Sequence, residues 1–196
     1  MIAEKNPEFY TIKTERLTLK LVAENTIAER FRILNENSEI TKYLIFPAPK
    51  NESDTRDHFI SLYEGFKNGK KVAWNIFENS AKKLIGTISL ESIIRSMQGY
   101  RKNQAEIGYW LDPAFSGKGL MTEAAQAVVN FGFEALKLHK IIAKHFAENM
   151  ASKRVIEKCG FRMIGTLREN IFKNGVWYDD CMYELLESEW KKNKLF

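Results

Sequence analysis

The sequence predicts an α/β domain of the α+β kind, built on a mixed but mostly antiparallel sheet, and three observations predict it. Runs of branched and aromatic residues with a period of two alternate with amphipathic helical runs in the order β-α-α-β-β-β-α-β-α-β-β, which gives seven strands and four helices. Asn174-Gly175 stands between two of the strand runs, a strong short-range signal for a tight hairpin. No repeat, low-complexity run or Pro/Gly-rich linker divides the 196 residues, so residues 1–196 read as one domain with one core.

The first strand is RLTLKLV, residues 16–22. A helix follows over residues 25–36 and a second over 54–67, with Ser53 or Asp54 placed to cap it. KVAWNIFE and KLIGTISLESI, residues 71–78 and 83–93, form a hairpin around residues 79–82. EIGYWL, residues 106–111, is the fourth strand and Pro113 ends it. The helix over 117–138 carries Leu120, Ala124, Val128, Phe131 and Ala135 at helical spacing, while Glu123, Gln126, Asn130, Glu134 and Lys137 fall on the opposite side. KIIAKHFA, residues 140–147, is the fifth strand. A short helix over 150–159 stops at Gly160, a residue suited to the left-handed cap. GTLRENIFK and VWYDDCMYELL, residues 165–173 and 176–186, close the chain as the hairpin.

The junction Ser116-Gly117-Lys118-Gly119 carries the most chemistry. There a buried strand feeds an amphipathic helix, whose free N–H groups bear partial positive charge, and glycine lets a ligand approach the backbone. An anion cradle fits this arrangement. It is not a P-loop, because Asp112 and Gly119 stand where that motif needs glycine and a hydroxyl residue. It is not the dinucleotide fingerprint either, because Thr122 replaces the third glycine.

Composition narrows the classes further. No apolar stretch approaches the roughly 20 residues that a membrane helix needs. The opening MIAEKNPEFYTIKTERL is charged from its start and predicts no secretory signal. Cys159 and Cys181 are spaced neither as a metal site nor as a disulfide framework, so a reducing cytoplasm and no metal are expected. The formal net charge of +5 suits an anionic ligand or the ribosome surface, and a solvated basic exterior equally well. No motif with interleaved aromatics points to direct nucleic-acid binding.

Two anchors resemble the GNAT acetyltransferases. The 112–136 stretch is similar to their pyrophosphate loop after the fourth strand, with Gly119 at the central glycine and Ser116 and Met121 departing from the pattern. ENMASKRVIEKCGF, residues 148–161, resembles the Rim-type branch of RimJ/RimL ribosomal-protein N-terminal acetyltransferases, with Asn149, Ser152, Arg154, Gly160 and Phe161 in step. FKNGVWYDDCMYELLESEW and TERLTLKLV also look like that branch, and the former is similar to spermidine acetyltransferases as well. The resemblance implies the GNAT fold, with splayed fourth and fifth strands, and acetyl-CoA as cosubstrate. It implies that backbone amides from Ser116, Gly117, Lys118, Gly119, Leu120, Met121 and Thr122 wrap the pyrophosphate. Tyr109, Trp110 and Leu111 then offer backbone hydrogen bonds to the pantetheine arm, and Asn149 adds another while capping its helix.

The catalytic expectations are Glu106 and Ser152. Glu106, Gly108 and Trp110 share a strand face, and the missing side chain of Gly108 opens space beside Glu106, which is expected to act as general base through water. Many GNAT enzymes carry a tyrosine four residues before the Gly-Phe pair to protonate the departing thiolate, and Ile156 stands there in this chain. In the Rim-type branch a serine at the place of Ser152 is the acid. His145 and Cys159 read as packed residues, and at most one of Asp179 and Asp180 faces a site. Acetyl transfer to a primary amine, by direct attack in a ternary complex, is the leading expectation, with a ribosomal-protein N-terminus as acceptor. A small-amine acetyltransferase and a catalytically weak acyl-CoA- or ribosome-binding module are the alternatives. Monomer and homodimer are both compatible.

Overall fold

A computed structural model describes residues 6–97 and 101–193. Residues 1–5, part of the stretch read for a secretory signal, lie outside them. The strands are β1 (Ile12–Lys13), β2 (Leu17–Leu21), β3 (Val72–Glu78), β4 (Lys83–Met97), β5 (Arg101–Leu111), β6 (Lys140–Phe146), β7 (Arg162–Lys173) and β8 (Val176–Leu186). The helices are α1 (Ile27–Glu36), α2 (Ser38–Lys42), α3 (Glu52–Lys67), α4 (Leu120–Glu134), α5 (Met150–Lys158) and α6 (Glu187–Asn193). Among the described residues the strands form one sheet of eight in the order β1-β2-β3-β4-β5-β6-β8-β7. Every neighbouring pair is antiparallel except β5 and β6.

The sequence expectation of seven strands and four helices needs three additions: the two-residue β1, the five-residue α2 and the terminal α6. Each is too short for a periodic pattern to emerge. Because of β1, the expected fourth and fifth strands are β5 and β6. The cap of α3 is Asn51, whose side chain accepts from the Asp54 amide at 3.0 Å, rather than Ser53 or Asp54. α4 starts three residues later than expected, because Gly119 takes the left-handed conformation (φ 76°) and caps it. Gly160 (φ 84°) ends the α5 turn as expected, and Asn174 and Gly175 both have positive φ, the signature of a type I′ hairpin.

The main core lies between the sheet and α4, where Trp74, Ile88, Ile107, Ala124, Val128 and Ile141 are all buried. Strand alternation sends Tyr109 and Trp110 to opposite faces. Tyr109 packs against this main core, while Trp110 joins a second cluster with Ile33, Leu34, Ile40 and Leu84 under α1 and α2.

The parallel pair matters most for function. β5 and β6 are in register from Gln104↔Lys140 to Ile107↔Ala143, and the pairing stops there, although β5 continues to Leu111 and β6 to Phe146. The two strands therefore part after Ile107. On its other side β5 stays paired with β4 through Gly86↔Leu111. The Asp112 amide donates to Ile85 O at 2.7 Å, so by alternation the amides of Trp110 and Asp112 face β4 while those of Tyr109 and Leu111 face the gap.

Candidate active site

A cavity of about 560 Å³ opens where the strands part. Four segments bound it: the end of β5 at Tyr109–Leu111, the loop and first turn of α4, the first turns of α5, and α2. Of the residues expected from the sequence, Tyr109, Trp110, Leu111, Ser116, Gly117, Gly119, Leu120, Met121, Thr122, Asn149 and Ser152 all line it. Glu106 and Lys118 do not.

The start of α4 has the geometry of an anion cradle. Gly117 and Gly119 both sit at φ 76°, and a Cβ added at Gly117 would meet nothing within 4 Å. No side chain caps the helix, and its first α-helical bond runs from Glu123 N to Gly119 O, which leaves the amides of Leu120, Met121 and Thr122 without helical acceptors. The side chains of Leu120 and Met121 turn into the core, so the departure at Met121 leaves the backbone donors unobstructed. Ser116 is different. Its amide already donates to Pro113 O at 3.0 Å, so the available donors begin at Gly117. Lys118 folds back over its own loop: its Nζ donates to Ala114 O at 3.1 Å and lies 5.2 Å from the Phe115 ring centre.

A clasp not anticipated from the sequence fixes this loop. Arg16, before β2, donates through Nη1 to Lys118 O (2.9 Å) and through Nε to Glu123 Oε2 (2.7 Å), and its backbone amide donates to Glu123 Oε1 (3.0 Å). Thr14 Oγ1 adds a bond to the same oxygen at 2.6 Å. Burial alone would raise the Glu123 pKa, but these donors together hold it below the usual carboxylate range. The signal available in the sequence was an acidic residue in the first helical turn.

The first turn of α5 forms the far wall. Asn149 is its N-cap, its Oδ1 accepting from the Ser152 amide at 3.0 Å, which leaves its amide NH₂ free for a second role. The Ser152 hydroxyl lies 2.9 Å from the Tyr109 phenol, a pairing of side chains that the sequence reading did not contain. Ile156, one turn on, is buried in the core.

Glu106 lies outside the cavity, on the opposite face of β5 from Tyr109. Its carboxylate is 3.0 Å from Lys144 Nζ on β6 and remains about one third exposed. Across β4 it is in register with Glu91, which pairs with Lys71 at 3.1 Å and accepts from the Ser89 hydroxyl at 2.8 Å. One step along the same face, where Gly108 sits opposite Ser89, an added Cβ would touch only Ser89 Oγ, at an ordinary 3.6 Å, so the strand surface is open beside the two carboxylates. Glu91 was not singled out from the sequence, because its approach to Glu106 depends on strand register.

The remaining titratable candidates are structural. His145 is buried, with Nδ1 2.7 Å from Phe146 O. Burial pushes the Cys159 thiol up to about 12, which keeps it protonated and unreactive. Asp179 accepts from the Glu169 amide and the buried Asp180 from the Asn170 side chain, so each carboxylate is committed to the β7–β8 hairpin.

Residues 16–162 match the family described as "Acetyltransferase (GNAT) domain". The chain belongs to the GNAT acetyltransferase family. This GNAT protein is 40% identical over 134 residues to Probable N-acetyltransferase YjcK of Bacillus subtilis (strain 168), spanning 68% of this chain and 72% of that one. It is 30% identical over 176 residues to Ribosomal-protein-serine acetyltransferase of Escherichia coli (strain K12), covering 88% and 94% of the two chains. Its fold is that of RimL, a ribosomal L7/L12 alpha-N-protein acetyltransferase solved in complex with coenzyme A, at a TM-score of 0.82 and 23% identity over 90% of this chain and 97% of that chain. The GNAT expectation from the two sequence anchors is thus met at the level of family and fold.

Proposed function

We propose that this GNAT enzyme transfers the acetyl group of acetyl-CoA to a primary amine, the N-terminal α-amine of a protein of the ribosomal type. The observation that carries the reading is the convergence on one cavity of the free amides of α4, the unpaired edge of β5 and the Ser152 hydroxyl. A diphosphate suits the first of these, an extended amide-containing arm the second, and a sulfur leaving group the third. The relative named for ribosomal-protein-serine acetylation supports the acceptor class.

Acetyl-CoA would supply the activated acyl group as a thioester. The amides of residues 117–122 bind its diphosphate, and the main chain of Tyr109 and Leu111 orients its arm as an added strand in the gap. The Leu111 amide, which faces that gap, polarises the thioester oxygen. Glu106 accepts the acceptor's proton through water on the open surface over Gly108, where the Lys144 ammonium holds its carboxylate in place. The Ser152 hydroxyl assists the departing sulfur by donating a hydrogen bond to the charge that develops on it. No step needs a metal. On this reading the enzyme is expected in the cytoplasm, where acetyl-CoA and newly made protein N-termini meet.

The test is mass spectrometry of proteins and metabolites after lysate is incubated with the enzyme and isotopically labelled acetyl-CoA. Label on protein α-amines is the expected result. Label confined to small amines would reassign the acceptor, and no label together with no calorimetric binding of acetyl-CoA would overturn the reading.

A further inference from the structure

Tyr109 stands two residues past the last β5–β6 pair, on the stretch of β5 that faces the gap, with its side chain turned toward α5. Its phenol lies 2.9 Å from Ser152 Oγ, and its proton can instead go to the Ser152 carbonyl oxygen, a longer contact at 3.3 Å. A phenol and an aliphatic hydroxyl at this distance share one hydrogen bond, and either can donate it. The two directions have different consequences. When Ser152 donates to the phenol, its only proton is spent and the cavity receives none. When Tyr109 donates to Ser152 Oγ, the serine proton is free to point into the cavity. A negatively charged acceptor there selects the second arrangement, because a hydrogen bond to a charged atom is about twice as strong as one between neutral groups.

We propose that Tyr109 is a positioning residue: its phenol donates to Ser152 Oγ and so turns the serine proton toward the sulfur that carries the charge of the departing thiolate. This rests on the acetyl-CoA reading above. The sulfur keeps the electron pair of the broken C–S bond, and the amine proton leaves through the Glu106 water. The pair makes and breaks no covalent bond of its own, and it stabilises the charge on sulfur until water protonates it. Burial holds the phenol above its ordinary pKa, so it remains a donor throughout the working pH range. Here the hydroxyl pair takes up a task for which the helix offers only the buried Ile156. The arrangement comes from two segments 43 residues apart, and no local pattern announces it.

Calorimetry with coenzyme A and with acetyl-CoA, between about pH 7 and 9.5, tests this without an acceptor. Only coenzyme A has an ionisable sulfur, with a reference thiol pKa of about 8.5. The charged groups lining the cavity are Glu39, Arg154 and Lys158, with Cys159 beside Tyr109, and they act on both ligands and in every variant. In the wild-type protein, coenzyme A binding is expected to tighten by about five- to tenfold relative to acetyl-CoA as pH rises across this range. In Tyr109→Phe the gain, read against acetyl-CoA binding to the same variant, shrinks to less than twofold. Ser152→Ala shows the same loss, and adding Tyr109→Phe to it changes nothing more. A wild-type protein with no pH-linked gain, or a Tyr109→Phe protein with the full gain, overturns the proposal. If Tyr109→Phe fails to fold, the wild-type gain and its survival in Ser152→Ala remain decisive. Absence of acetyl-CoA binding in the wild-type protein would instead remove the reading beneath it.

Discussion

Arg16 and Glu123 are 107 residues apart in sequence, yet the guanidinium Nη2 and the carboxylate lie 2.6 Å apart, and the same arginine holds the Lys118 carbonyl. The loop that presents free amides is thereby tied to the first turn of α4 and to the start of β2. Arg16→Ala is expected to weaken coenzyme A binding by about three- to tenfold, read by calorimetry, while global stability falls by no more than about 1 kcal/mol, because the arginine is half exposed.

The same clasp has a pH signature. With its folded pKa depressed, Glu123 contributes stability above the ordinary glutamate pKa of about 4.3, and that contribution is lost as pH falls through the lower folded value. Glu123→Gln removes this part of the acid dependence, and urea midpoints measured on both proteins below about pH 4.5 should converge.

Gly119 is held at φ 76° with room around it: an added Cβ would lie 3.7 Å from Arg16 Nη2. The penalty for Gly119→Ala is therefore in the backbone rather than in a clash, roughly 1–2 kcal/mol. Thermal unfolding reports that loss, and coenzyme A affinity should fall at least tenfold because the amide donors re-aim.

Glu106→Gln is expected to lower turnover by about a hundredfold with acetyl-CoA affinity unchanged, since its carboxylate lies outside the cavity and acts on the acceptor side. Steady-state kinetics on the acceptor found by isotope labelling measures this. An equal loss in Glu91→Gln would point to the carboxylate facing Glu106 across β4 as the proton acceptor.

His58 predicts a second pH effect, away from the cavity. Burial, then the neighbouring Arg30 guanidinium 3.3 Å from its Nδ1, takes its pKa from 6.5 down to about 4. The unfolded chain then binds a proton that the folded one refuses, so stability present above pH 6.5 declines as pH falls toward 4, by roughly 1–3 kcal/mol. Denaturant midpoints in His58→Gln should show a flatter decline over that window.

Where periodicity extends over two or more turns, the sequence located the element: α4 and the β7–β8 hairpin lie over Leu120, Val128 and Asn174-Gly175, although α4 runs 120–134 rather than the expected 117–138. Elements of two to seven residues, β1, α2 and α6, carry no readable period and emerged only in three dimensions. The site divides in the same way. Gly117, Gly119 and the Asn149 cap are local features of a turn or a helix start and could be named from neighbours in the chain, while Ser152 was named through the Rim-type resemblance. The Arg16–Glu123 clasp, the Tyr109–Ser152 contact and the facing of Glu91 by Glu106 depend on register and packing between distant segments. Ser116 shows the limit of motif matching, because its amide is spent on Pro113 inside its own turn.

The parting of β5 and β6 also bears on solubility. A sheet usually exposes ungated main-chain donors and acceptors only along its outermost strands, where charge and twist deter intruders. Here such groups lie in mid-sheet, at Tyr109 and Leu111, and they suit any extended peptide as well as they suit an amide-bearing cofactor arm. Whatever extended ligand fills that seam should guard the fold against self-association, and on the proposed acetyl-CoA reading the cosubstrate would do so.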